Sequence, residues 1–206
     1  MIINPVPVWV YILSPALMLL LKLLGWIYRE VKGKSLVVLG MKGAGKTRFY
    51  RFLQNKPYVE EESEVDNYEE FVYKKKNGET VLIKKGIDIG GSEDYVKPHY
   101  ESMIAENDIL IFCFDISKYL IDTAYMKQVN YRFEFISRKY KELKKDKYNF
   151  VKLATHVDKT PNSKEAFKKF NSMIEKKEYK IDFRKNLFPV DVTNKDELQK
   201  IVDKIF

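Results

Sequence analysis

The chain has a single cysteine among its 206 residues, Cys113, set inside the apolar run Ile109 to Phe114. One thiol excludes an intramolecular disulfide, and its apolar setting fits a packed strand in a reducing compartment. Zinc-ligand spacing is absent, as is the aromatic and basic signature of RNA-binding modules. The net charge of +8 and pI of about 9.2 therefore do not make nucleic acid an expected partner, although a basic protein can also meet an anionic membrane surface. There is no internal repeat, and low complexity is limited to lysine richness. Charge is also missing from the N-terminus, where the first charged side chain is Lys22. A chain of this length holds one globular domain and a short appendage.

The uncharged beginning carries the first expectation. Val6 to Tyr28 is apolar apart from Lys22, and a spanning helix needs roughly 17–25 mainly apolar residues. Trp9 and Tyr11 at one end, with Trp26 and Tyr28 at the other, resemble interfacial aromatic belts, and Lys22 can snorkel. Pro15 would kink such a helix without forbidding it. A basic n-region and a small-residue cleavage site are both lacking, which argues against a signal peptide. Lys22, Arg29, Lys32 and Lys34 all flank the stretch on its C-terminal side. The positive-inside rule then places the C-terminal globular part in the cytoplasm. The reading is a single-pass anchor and short linker at 1–33, touching membrane lipid through residues 6–28, and a globular domain at 34–206. A helix lying in the interface plane or packing on a partner is the alternative.

Gly40-Met41-Lys42-Gly43-Ala44-Gly45-Lys46-Thr47 fits G-x-x-x-x-G-K-[ST], the phosphate-cradling P-loop. Ser35 to Leu39 before it is a short apolar run of the kind found in buried parallel strands. Arg48 to Leu53 after it can continue as a helix. A strand, a glycine-rich turn and a helix N-terminus form an anion site from backbone N–H groups and the helix dipole.

Beyond the P-loop, Asn55-Lys56-Pro57 ends the helical pattern, and Pro57 to Asn67 is an acidic loop. Two strand-like runs, Tyr68 to Lys76 and Glu79 to Asp88, flank Asn77-Gly78, the strongest short-range hairpin signal. A helix is expected over 96–106, a strand over 109–115, and a long helix over 119–146 with an apolar stripe from Ile121 through Tyr125, Val129, Phe133, Ile136 and Tyr140 to Leu143. Further strands are expected at 149–155 and 187–192, with helices at 163–178 and 196–205. Alternation of this kind predicts an α/β fold, a six-stranded, mostly parallel sheet with helices on both faces.

P-loop, antiparallel hairpin, then Asp88-Ile89-Gly90-Gly91 is the order of the Ras-superfamily small GTPases, and the chain resembles their Arf-like branch. With an N-terminal anchor, it is also similar to the beta subunits of the signal-recognition-particle receptor. The resemblance covers about Ser35 to Phe206 and implies a P-loop NTPase that binds GTP or GDP with Mg²⁺. By resemblance, backbone N–H groups of Gly40, Gly43, Ala44, Gly45, Lys46 and Thr47 line the phosphate site, and the Lys46 ammonium acts between the β- and γ-phosphates. Thr47 and Asp88 hold the metal, and Gly91 gives its N–H to the γ-phosphate. Thr155-His156-Val157-Asp158 stands where the family has Asn-Lys-x-Asp. A carboxylate at Asp158 accepts from both N1–H and the 2-amino group of guanine, donors that adenine lacks there. Asp191-Val192-Thr193 stands in the last base loop, so Val192 and Thr193 complete the site. Two departures bear on turnover. Ser92 occupies the place of the water-orienting Gln, with Glu93 or His99 as the available substitutes. The acidic loop has no Thr, leaving Ser63 as its hydroxyl candidate. The expected activity is a membrane-anchored GTPase that is slow without a partner, since an arginine finger supplied in trans is worth about 10³–10⁵ in rate. The alternatives are a nucleotide-loaded module that docks a protein effector and rarely turns over, and an ATP-using P-loop protein.

Overall fold

Strand β1 (Leu36–Gly40) is buried at all five positions, as an apolar run covered on both faces must be. It leads through the P-loop into helix α1 (Lys46–Leu53). The computed structural model describes Pro15, residues 17–23, 33–57, 65–91, 96–143 and 149–206. After α1 come β2 (Val65–Tyr68), β3 (Phe71–Lys74), β4 (Thr80–Ile83) and β5 (Gly86–Ile89), then α2 (Val96–Glu106) and β6 (Ile109–Asp115). A short α3 (Ile116–Tyr119) and a long α4 (Thr123–Glu142) come next, then β7 (Phe150–Thr155), α5 (Ser163–Ile174), α6 (Lys180–Arg184), β8 (Leu187–Val190) and α7 (Lys195–Ile205). The long helix expected over 119–146 is α4, beginning at Thr123, and the separate short α3 ends at Tyr119. Asp115 caps α3 through Lys118 N, and Asp122 caps α4 through Ala124 N and Tyr125 N, so a second helix start interrupts the first.

The predicted six-stranded sheet is corrected. Four strands form one parallel sheet in the order β1-β6-β7-β8, while the hairpin makes two separate ladders, β2 with β5 and β3 with β4. Both hairpin ladders are antiparallel and keep a common register, with Val65 opposite Ile89 and Phe71 opposite Ile83. Asn77-Gly78 turns the chain between β3 and β4, with Gly78 at φ +91°. The hairpin is joined by backbone to Lys34, just before β1, whose N–H donates to Leu82 O at 2.8 Å and whose carbonyl accepts from Lys84 N at 3.0 Å.

Past Lys34, tyrosines take over. The Tyr68 hydroxyl donates to Leu36 O at 2.7 Å. Val38 N donates to the Tyr50 hydroxyl at 3.0 Å, and that hydroxyl makes a long 3.5 Å contact with Ile87 O. The two rings lie 4.8 Å apart. Gly86 is required here, because a Cβ on it would fall 2.3 Å from the Tyr68 hydroxyl oxygen. The hydroxyls occupy the space that a β1–β5 ladder would need, which is why the sheet divides.

The expected transmembrane helix is overturned as well. Among the described residues no helix is long and apolar enough to cross a membrane. Within Val6 to Tyr28 the described helical residues are Pro15 and 17–23. The rest of that stretch lies outside the described residues. The single-pass location, and the lipid contact through residues 6–28, lose their support with the helix. Met1–Gly33 and Lys34–Phe206 are two separate compact units.

In the larger unit, aromatic rings fill the layer between the sheet and α4 to α6. Phe133 stacks on Phe183 at 4.0 Å, and Phe114 packs against Phe170 at 5.7 Å and Tyr119 at 5.7 Å. On the hairpin side, Gln199 Nε2 of α7 donates to the Tyr73 hydroxyl at 2.5 Å, tying β3 to the C-terminal helix.

Candidate functional site

The C-terminal ends of parallel strands are where open α/β sheets place their ligands. Here β1, β6, β7 and β8 deliver the P-loop, Asp115, residues 156–158 and residues 191–193 to that edge. Gly40 stands at φ +137°, and a Cβ there would lie 2.0 Å from Cys113 O, so β6 admits only glycine at the loop's entrance. Gly43 (φ +71°) and Gly45 (φ +81°) also hold the left-handed region that favours glycine. Gly45 caps α1 without a side-chain hydrogen bond, which leaves the first turn's N–H groups directed at the loop. Ala44 is fully buried.

Lys46 is buried and its Nζ donates to Met41 O at 2.9 Å. Burial pushes its ammonium below the ordinary lysine range, with the Asp88 carboxylate opposing that shift. Thr47 Oγ1 donates to Asp88 Oδ2 at 2.9 Å. The structure thus brings together the two residues assigned to the metal, although they stand far apart in sequence. A hydroxyl and a carboxylate are hard oxygen donors. Among the described residues no cluster of three or more His, Cys, Asp or Glu side chains surrounds them. Hard oxygen donors of this kind suit Mg²⁺, which is commonly held by one or two carboxylates and completes its shell with phosphate and water.

Gly91 rests on the P-loop itself. A Cβ there would fall 2.1 Å from Lys42 N and 2.3 Å from Met41 C. Arg132, from the middle of α4, donates through Nη1 to Gly40 O at 3.0 Å and to Gly91 O at 2.8 Å. Sequence reasoning missed this residue. Its signal was a charge three residues after Val129 and four before Ile136, on the face that the apolar stripe buries.

The base-side residues are arranged differently. Thr155 is fully buried, and its hydroxyl donates to Phe114 O at 3.0 Å. The contact of 2.9 Å between Thr155 Oγ1 and His156 Nδ1 is then donated by the imidazole, which assigns the proton to Nδ1 and leaves Nε2 as an acceptor. His156 adopts φ +58°, with Nδ1 3.6 Å from Asp115 Oδ2. Burial lowers its pKa despite that carboxylate, which favours the uncharged ring. Asp158 lies exposed in the short turn Val157–Lys159. Val192 is buried against the P-loop, its Cγ2 lying 3.0 Å from where a Gly45 Cβ would stand. Thr193 folds back on Asp191, donating from N at 2.7 Å and from Oγ1 at 2.9 Å. His99 is exposed on α2. Ser92, Glu93 and Ser63 lie outside the described residues.

No family model matches the chain. It is 31% identical, over 86 residues, to ADP-ribosylation factor-like protein 10 of Mus musculus. That stretch is 42% of this chain and 33% of the mouse protein, so the chain spans about a third of the relative's length. The match and the parallel sheet fit a small GTPase. They support guanine-nucleotide binding in general. The likeness to signal-recognition-particle receptor beta subunits depended on the N-terminal anchor and is not carried further.

Proposed function

We propose that this chain is a guanine-nucleotide switch of the Arf-like kind, binding GTP and GDP with Mg²⁺ and hydrolysing GTP slowly. The observation that carries the reading is the 2.9 Å contact between Thr47 and Asp88 at the start of the P-loop helix. In this reading the N–H groups of Gly43 to Thr47 hold the phosphates, and Lys46 exchanges its contact with Met41 O for phosphate oxygens. Thr47 and Asp88 hold Mg²⁺, which when bound offsets charge developing on the β- and γ-phosphoryl oxygens. Asp158 reads the guanine edge, and Val192 and Thr193 border it. The His156 ring offers a flat face for the purine in place of an ammonium.

Slow turnover is proposed from Ser92, too short to orient water as a Gln does. The same residue favours a second reading, a nucleotide-loaded module that docks an effector. Single-turnover hydrolysis by the full chain, with and without cell extract, separates the two. A fast intrinsic rate removes the docking module.

The test of the main reading is displacement of a fluorescent GTP analogue from the purified full chain in Mg²⁺. Micromolar GDP should displace it and ATP should not. Asp158→Asn should relax that preference for guanine. Failure of GDP to compete would overturn the reading.

A further inference from the structure

Arg132 has 1% of its surface exposed, and burying a guanidinium is costly unless its donors are satisfied. Its Nη1 is shared by two carbonyls from the two loops that meet at the phosphate site, Gly40 O at 3.0 Å and Gly91 O at 2.8 Å. The guanidinium charge also acts on the Tyr100 hydroxyl, opposing the upward push of burial on its pKa, and that hydroxyl accepts from Gly40 N at 3.3 Å. Tyr100 belongs to α2, the helix that comes after Gly91. One side chain from α4 therefore ties the loop entrance to the end of the Asp88-x-x-Gly91 segment, while Tyr100 of the next helix holds Gly40 from its N–H side. Gly91 meanwhile has no space between itself and the Met41–Lys42 backbone.

We propose that Arg132 is a positioning residue that docks the Gly91 segment on the P-loop and thereby sets the preference for triphosphate over diphosphate. The inference rests on the guanine-nucleotide reading of the site. The physical argument is one of differential contact. In that reading the P-loop meets the phosphates common to both nucleotides, whereas Gly91 meets only the terminal one. A ligand shifts a conformational equilibrium only by its difference in affinity for the two states. Holding Gly91 in place before the nucleotide arrives favours triphosphate and leaves diphosphate nearly indifferent. Arginine suits the task because its planar, always charged fork keeps several donors in fixed directions. Lysine carries the charge on a flexible stem and cannot span the same set of acceptors.

The experiment compares the full chain as wild type, R132Q and R132K. Affinities for GDP and for a non-hydrolysable GTP analogue are measured in Mg²⁺. R132Q should lower the triphosphate-to-diphosphate affinity ratio about tenfold, within the usual range of coupling between sites, with GDP affinity little changed. R132K should fall between R132Q and wild type. If R132Q fails to fold, R132K carries the comparison. A merely structural role would weaken both nucleotides alike, and an unchanged ratio overturns the proposal. Amide hydrogen exchange without nucleotide gives an independent readout. Residues 86–91 should exchange faster in R132Q, or in R132K should R132Q not fold, while Ile109 to Asp115 keep their protection. Unchanged exchange at 86–91 also overturns it. A wild-type chain that binds neither nucleotide would overturn the guanine reading, and the exchange arm would then decide the docking role alone.

Discussion

Lys152 shows what one side chain can cost. It lies on β7 with 1% exposure, its Nζ donating to Phe150 O at 3.3 Å and lying 4.5 Å from the Phe150 ring centroid and 5.9 Å from that of Phe133. Burial pushes its ammonium down to about 7, with Asp182 raising it and Lys185 lowering it further. The unfolded lysine titrates near about 10.4. Between these values the unfolded chain binds a proton that the folded chain does not, so stability rises with pH across the window from about 7 to 10. Below it both states are protonated and the full penalty applies. Lys152→Met should therefore raise the thermal midpoint at pH 7 by a few degrees, from ~1–2 kcal/mol after loss of the ring contacts. The gain should shrink toward pH 10. Scanning calorimetry of both proteins across that range checks it, and a gain independent of pH would rule out titration as the cause.

At the scale of elements, the tyrosine-filled division between β1 and β5 can be taken apart. Tyr68→Phe leaves Leu36 O without its 2.7 Å donor and should cost about 1–3 kcal/mol in denaturant melts. Gly86→Ala should cost more, since the new methyl meets Cζ of the ring at 2.5 Å as well as the hydroxyl. Because the two sites share one contact, the double variant should depart from additivity, and additive losses would refute the contact's importance. Little of this could be read beforehand. Asn77-Gly78, the P-loop glycines and the apolar runs of β1, β6 and β7 act locally, and the chain shows them plainly. The division depends on Tyr50, Tyr68 and Gly86 meeting across three elements, and no periodicity encodes that meeting. Sequence singled out Lys46, Thr47 and Asp88, and the fold brings Thr47 and Asp88 into contact beside the loop. Sequence could not show that the Thr155 hydroxyl is spent on Phe114 O, nor that Arg132 is held by two carbonyls.

For the whole molecule, a ligand that binds only the folded state stabilises it by mass action, about 2.7 kcal/mol at a hundredfold excess over Kd. With a folded unit spanning Lys34–Phe206, GTP and Mg²⁺ at that excess should raise the thermal midpoint by roughly 5–10 °C. Chelating the metal should remove much of that rise if, as proposed, Thr47 and Asp88 hold the nucleotide partly through it. Differential scanning fluorimetry reads the outcome. An equal rise with ATP would count against guanine selectivity at Asp158.

A backbone ladder can be sustained by almost any residue, so point mutation seldom dissolves it. Beyond the two backbone bonds at Lys34, the contact between hairpin and sheet is instead spelled out in phenol groups, each specified by one codon. The hairpin's attachment is therefore open to gradual adjustment, tightened or loosened a residue at a time, while the strands on either side keep their own hydrogen bonds.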